Sequence, residues 1–178
     1  MRTICVVTAT RAEYGLLRPV VQKLAASSTL QLQLVATGAH LCPRLGETVR
    51  EIEADGIPIA ARLPIFVGDE NEPVAVTIAR TITVFDAYFS AHRPDAVLLL
   101  GDRFEIFAAA TAAAARHIPI AHISGGDVTL GAADEYYRHC ITKMAAVHFP
   151  SCADSAARLV RMGEAPETVF CVGGLGDE

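Results

Sequence analysis

Strand-length apolar runs alternate with helix-like segments from one end of this chain to the other, and few folds accommodate that pattern. The runs are TICVVTA (3–9), LQLVATG (32–38), ARLPIF (61–66), AVLLLG (96–101), IPIAHIS (118–124), AVHFPS (146–151) and TVFCVG (168–173). Most carry apolar residues consecutively rather than at every second position. A strand with water on one face alternates, whereas a continuously apolar one is covered on both faces. Between the runs lie segments with helical character: 13–27, 46–56 ending at Gly56, 74–92 ahead of Pro94, the alanine-rich 104–117, 134–145 and 153–163. The pattern predicts a doubly wound, mostly parallel, Rossmann-like α/β sheet of about seven strands. At 178 residues the chain is read as one domain over 1–178.

Composition narrows the function. With 20 Asp and Glu against 15 Lys and Arg, the net charge is −5, and no basic stripe marks a nucleic-acid site. No apolar run approaches the ~20 residues of a membrane span. MRTICVV lacks the longer apolar stretch and cleavage site of a signal peptide. The five cysteines (Cys5, Cys42, Cys140, Cys152, Cys171) show no C-x-x-C spacing and read as reduced thiols, so a cytoplasmic setting is expected.

In a parallel doubly wound sheet, ligands sit beyond the carboxyl ends of the strands. Three of those ends collect polar residues. After the first run come Thr10, Arg11, Glu13 and Tyr14. After the fourth come Asp102, Arg103 and Glu105. After the fifth come Ser124, Gly125, Gly126 and Asp127, followed by Asp134, Arg138 and His139. The first loop has neither G-x-G-x-x-G nor a P-loop signature. Arg11 can hold an anion at a helix N-terminus, or pair with Glu13 and cap the helix. Asp102 can be a reacting acid or a helix N-cap. Gly125-Gly126 suits close approach of the backbone to a ligand, or a plain turn. Asp134 and Arg138 stand four apart on one helix side, where a salt bridge is the ordinary outcome. His122 and His148 fall in strands and read as core imidazoles. Metal-ligand spacings such as H-E-x-x-H are absent, so no metal is expected. Three acids (Asp102, Asp127, Asp134) arriving from one sheet edge can differ in proton affinity, which lets one fold supply both an acid and a base.

Taken together, TATRAEYGLLRP, GDRFEI, IPIAHISGGDVT and DEYYRHCITKMAAVHF resemble the hydrolysing UDP-N-acetylglucosamine 2-epimerases over essentially the whole chain. The resemblance implies the N-terminal of two Rossmann-like domains in a GT-B arrangement, with the C-terminal UDP-binding domain outside this chain. It implies a metal-free and redox-cofactor-free reaction in the interdomain cleft. A base takes the C2 proton as UDP departs by anti elimination, and water adds to the resulting glycal to give N-acetylmannosamine. By motif match Asp102, Asp127 and Asp134 are the catalytic acids. Arg11, Glu13, Tyr14, Arg103, Ser124, Arg138 and His139 are the expected substrate-binding residues. The expected partners are a UDP-sugar, the C-terminal domain and, in the complete enzyme, further copies of itself. The isolated chain is expected to be inactive. Two positions depart from the N-acetylglucosamine pattern: Asp127 replaces a glutamate, and Ser124 precedes the glycine pair. They leave open the similar epimerases of UDP-2,4-diacetamido-2,4,6-trideoxyglucose. A free-standing α/β ligand-binding domain is the non-enzymatic alternative.

Overall fold

Residues 1–68 and 71–176 are described by the structure, a computed structural model. The strands are β1 (Arg2–Thr8), β2 (Leu30–Thr37), β3 (Ile59–Leu63), β4 (Ala96–Leu100), β5 (Ile120–Ile123) and β6 (Val147–Phe149). The helices are α1 (Arg11–Ala25), α2 (Val49–Ala54), α3 (Val74–Ala91), α4 (Phe104–Ala115), α5 (Asp134–Met144) and α6 (Ala153–Arg161). The strands form one parallel sheet in the order β3-β2-β1-β4-β5-β6. The order reverses between β1 and β4, so the switch point lies where the loops after these strands diverge.

Both faces of the sheet are covered, as the continuous apolar runs require. On one face α3, α4 and α5 place Phe85, Phe89, Ile106 and Ile141 against Cys5, Val7, Val97 and Leu99. On the other, α1 and α2 place Leu17, Val21 and Ile52 against Val6, Leu34 and Leu98. Alternate residues of each strand therefore serve different cores. The alanines of α4 have a packing role: Ala108, Ala109, Ala110, Ala112 and Ala113 are buried, and small side chains let the helix lie close to the sheet and to α3. By length and composition alone α3 could cross a membrane, with a mean hydropathy of 1.2. Its Phe85 and Phe89 are instead core residues, so the helix packs on the sheet.

Two expectations need correcting. The seventh run forms no strand among the described residues. Residues 166–168 make a 3₁₀ turn, and the run continues the ladder by one parallel bridge, His148 to Val169, and by a bond from the Val172 amide to the Pro150 carbonyl at 3.3 Å. β6 spans three residues, too few to template another strand, and Phe170 and Val172 lie about half exposed with no helix over them. The second correction concerns residues 46–56, which yield only the short α2. Gly46 and Glu47 take positive φ (95° and 46°), which holds the chain out of a helix until Val49. Gly56, at φ 69°, closes α2 as expected.

Candidate functional site

The site is built from four loops at the carboxyl edge of the sheet. At the end of β1, Thr10 N-caps α1, its hydroxyl accepting from the Glu13 amide at 3.3 Å. Glu13 Oε1 turns back to accept the Ala9 amide at 3.2 Å, a reciprocal cap displaced by one residue. Its other oxygen is buried without a partner. Burial pushes the Glu13 carboxyl up to about 8, against the lowering effect of the Ala9 bond, and nearby Glu105 pushes the same way. Arg11 pairs with Glu51 at 2.7 Å on the surface, not with Glu13.

After β4, Gly101 turns at φ 80° and Asp102 follows. Arg103, not Asp102, occupies the N-cap position of α4, and no side chain caps that helix. The N-cap reading of Asp102 therefore falls. Its carboxylate is paired with Arg138, whose side chain is only 4% exposed. Arg103 folds over the fully buried Glu105, donating at 3.2 and 3.0 Å. Burial works against the Arg103 charge, but the bonds from Glu105 outweigh it, helped by the charges of Glu13 and Asp134.

The loop after β5 requires its glycines. A Cβ on Gly126 would stand 2.4 Å from the Ser155 carbonyl oxygen, and Gly126 has φ 83°. Ser124 is itself left-handed at φ 63°. Asp127 turns its carboxylate to the segment after β6, accepting from Ser151 Oγ in the loop at 2.9 Å and from Ser155 Oγ in the first turn of α6 at 2.6 Å.

Arg138 joins these loops. Beyond Asp102 it donates to the Asp127 carbonyl at 2.8 Å, the Thr129 hydroxyl at 2.8 Å and Glu135 at 2.8 Å. Helical spacing pointed to Asp134 as its partner, but the nearer acid along the helix is Glu135, which also accepts the Thr129 amide at 2.6 Å. A cavity of about 310 Å³ opens here, with Thr10, Glu13, Gly101, Asp102, Arg103 and Ser124 in its wall.

The structure thus gathers Glu13, Asp102, Arg103 and Ser124 around one cavity and ties Asp127 to it through Arg138. Asp134 heads α5, and its charge favours the Arg103 cation. Two expected substrate-binding residues lie elsewhere. The Tyr14 ring is buried and its hydroxyl donates to Asp55 at 2.7 Å. His139 bonds Glu135 at 3.1 Å, one step behind Arg138. Sequence reasoning missed Glu105 as the Arg103 partner, and Ser151 and Ser155 as the Asp127 partners. The serines had a signal: they follow β6, the next strand in the alternation, and so reach the same edge. Among the described residues, no three His, Cys, Asp or Glu side chains cluster as a metal site would.

The UDP-N-acetylglucosamine 2-epimerase family matches residues 22–177. A Legionella pneumophila relative, UDP-N,N'-diacetylbacillosamine 2-epimerase (hydrolyzing), is 42% identical over 99% of this chain and 47% of its own length. The UDP-N-acetylglucosamine 2-epimerase of Neisseria meningitidis serogroup B is 30% identical over 97% of this chain and 45% of its own. The chain therefore spans about half the length of the curated relatives it matches. Among solved structures, the UDP-GlcNAc 2-epimerase from Neisseria meningitidis bound to UDP-GlcNAc superposes with a TM-score of 0.87 at 24% identity, covering 97% of this chain and 47% of that one. A lipopolysaccharide outer core galactosyltransferase shares the fold alone, with a TM-score of 0.66 at 12% identity, covering 97% of this chain and 45% of that one.

Proposed function

This chain belongs to the UDP-N-acetylglucosamine 2-epimerase family, and from that premise we propose that it is the N-terminal, acid-bearing half of a hydrolysing UDP-sugar 2-epimerase whose substrate is UDP-2,4-diacetamido-2,4,6-trideoxyglucose. The observation that carries the choice of sugar is the 42% identity to the diacetylbacillosamine enzyme, against 30% to the N-acetylglucosamine enzyme. The departures at Asp127 and Ser124 from the N-acetylglucosamine pattern leave room for a different sugar. UDP-N-acetylglucosamine is the second reading, favoured by the name of the matching family.

In the proposed reaction a carboxylate of this half takes the C2 proton while the C1–O bond to UDP breaks and the C1–C2 double bond forms. Water then supplies hydroxyl to C1 and a proton to C2 from the opposite face. The products are UDP and the 2-epimeric sugar, 2,4-diacetamido-2,4,6-trideoxymannose. Asp102 and Asp127 are the acids assigned to the reacting carbons, with Asp134 as the third. Arg103, held by Glu105, and Arg11, free to leave its surface partner, offer positive charge to the diphosphate. Catalysis of this kind depends on closing a cleft around the sugar. The complete enzyme therefore needs the C-terminal half, and the isolated chain is inactive; a homo-oligomer in the cytoplasm is the setting proposed for the complete enzyme.

The test joins this chain to the C-terminal half of the Legionella pneumophila relative and measures UDP release with each nucleotide sugar. Turnover of the diacetamido sugar at least about tenfold above UDP-N-acetylglucosamine is expected, with none from the chain alone. Preference for UDP-N-acetylglucosamine moves the assignment to the second reading. Comparable UDP release by the unassisted chain overturns the half-site proposal.

A further inference from the structure

His122 lies fully buried in β5, between the two loops that carry Asp102 and Asp127. Its Nε2 stands 2.7 Å from the carbonyl oxygen of Gly101, the residue immediately before Asp102. β4 ends at Leu100, so the Gly101 carbonyl, turned by a φ of 80°, relies on this imidazole for a buried donor. The Gly101 amide in turn donates to the Ile123 carbonyl at 3.1 Å. Gly101 is thus anchored to β5 on both sides, once through backbone and once through the imidazole.

The opposite ring nitrogen faces the second loop. A Cβ on Gly125 would meet His122 Nδ1 at 2.9 Å and Thr142 Oγ1 at 3.1 Å, so the Gly125 backbone rests directly on this edge. Thr142 stands 3.4 Å from Nδ1 and lies on α5, one turn beyond Arg138. Arg138 holds the Asp102 carboxylate and the Asp127 carbonyl from the outer side.

We propose that His122 is a positioning residue: its Nε2–H fixes the Gly101 carbonyl, and with it Asp102, while its Nδ1 edge seats Gly125 and the loop leading to Asp127. The assignment rests on the reading of those two acids as the ones that act on the sugar. His122 does not itself exchange protons in the reaction. Burial lowers its pKa to about 4, with His148 and Arg138 acting in the same direction and outweighing the Gly101 bond and the Asp102 charge. The ring is therefore neutral at working pH, and a neutral ring that donates through Nε2 must accept through Nδ1. Glutamine at this position keeps a donor near Nε2, whereas leucine leaves the Gly101 carbonyl without one.

Two sets of measurements test this. On the 178-residue chain, side-chain nitrogen NMR is expected to show the Nε2–H tautomer, unchanged from pH 5.5 to 8. Amide exchange at Gly101 and Ser124, whose amides donate to the Ile123 and Phe149 carbonyls, is expected to rise at least about tenfold in His122→Leu and little in His122→Gln. An Nδ1–H ring, a titration near 6.5, or equal exchange in both variants overturns the proposal. In the joined two-domain enzyme, His122→Leu is expected to lower kcat about 100-fold with KM within about threefold, the scale of a 1 Å misplacement of a reacting group. His122→Gln should recover most of that and leave the shape of the pH–rate profile unchanged. A profile changed in shape by His122→Gln would instead make the ring an acid–base group. Asp102→Asn separates the two readings. If it leaves turnover intact while the tautomer and exchange results stand, the function assignment fails and the His122 anchor survives. If it abolishes turnover and His122→Leu does not, only the His122 inference fails.

Discussion

Asp102 and Asp127 stand beyond neighbouring strands of one sheet, yet the protein holds them by opposite means. Asp102 faces a full positive charge, the buried guanidinium of Arg138, which in turn is fixed by Glu135, Thr129 and the Asp127 carbonyl. Asp127 faces two neutral hydroxyls, Ser151 from the loop after β6 and Ser155 from the first turn of α6. A carboxylate locked in a charge-assisted pair is rigid and costly to unpair. One held by rotatable hydroxyls can change partner at smaller cost. The difference is one of rigidity: the Asp102 carboxylate is fixed in place, and the Asp127 carboxylate is held by partners that can rotate.

The largest test of that contrast is Arg138→Met. It removes the cation from a part-buried cluster, leaving Asp102 without its charged partner and Glu135 with only the Thr129 amide and His139. Breaking a buried pair from one side costs about 3–5 kcal/mol, and urea midpoints should report a loss of that order. A loss below about 1 kcal/mol would show that Asp102 is held by solvent and backbone, and the contrast with Asp127 would vanish.

Glu13 sharpens the comparison, because burial dominates its carboxyl and outweighs the Ala9 amide, the Arg103 charge and the Thr8 hydroxyl. Its folded pKa is raised to about 8 from an ordinary 4.5. The folded chain therefore keeps a proton that the unfolded chain has released, and stability falls as pH rises through that interval. Burial lowers His40 and His122 from 6.5 to about 4, so their contribution is present above 6.5 and lost as pH falls. Between pH 6.5 and 8 those two histidines are flat and the Glu13 limb remains. Stability should drop by about 1–2 kcal/mol across that window, at most about 1.4 kcal/mol per pH unit for one proton, and Glu13→Gln should flatten the slope. An equal slope in both proteins would mean that Glu13 is ionised in the fold.

Ser155→Ala addresses the other side of the comparison. Removing one of two neutral donors to Asp127 Oδ1 leaves the Ser151 hydroxyl in place, so the expected cost is about 1 kcal/mol. A cost approaching that of Arg138→Met would show that Asp127 is as firmly locked as Asp102, and the difference in rigidity would disappear.

What the sequence disclosed and what it withheld follow the same line. Continuous apolar runs disclose a sheet covered on both faces, and the segment 74–92 matches α3 to within a residue, because local composition determines such features. The run 168–173 has the composition of a strand, but a strand also needs a long enough neighbour, and β6 is three residues long. At the site, strand ends located Asp102, Arg103, Glu13 and Ser124. The partner of Arg138 stayed hidden, because helix spacing reports neighbours along α5 while Asp102 lies 36 residues away in sequence. The proton affinity of Glu13 was equally out of reach, being set by tertiary packing around one oxygen.

Arg11 should show the smallest effect on the fold. It was read either as a helix cap paired with Glu13 or as an anion ligand. The structure pairs it with Glu51 at 2.7 Å, and the two side chains are 73% and 44% exposed. Exposed pairs of this kind are worth about 0–1 kcal/mol, because water screens the attraction and two long side chains lose freedom in forming it. Arg11→Ala should therefore change the urea midpoint by less than about 0.5 kcal/mol. In the joined two-domain enzyme the same change should raise the apparent substrate constant before it lowers turnover, whereas Asp102→Asn should do the reverse. A stability loss above about 1 kcal/mol would make Arg11 a strap between α1 and α2. An unchanged substrate constant would return the diphosphate to Arg103 and the other half of the enzyme, leaving Arg11 a surface residue beside the site.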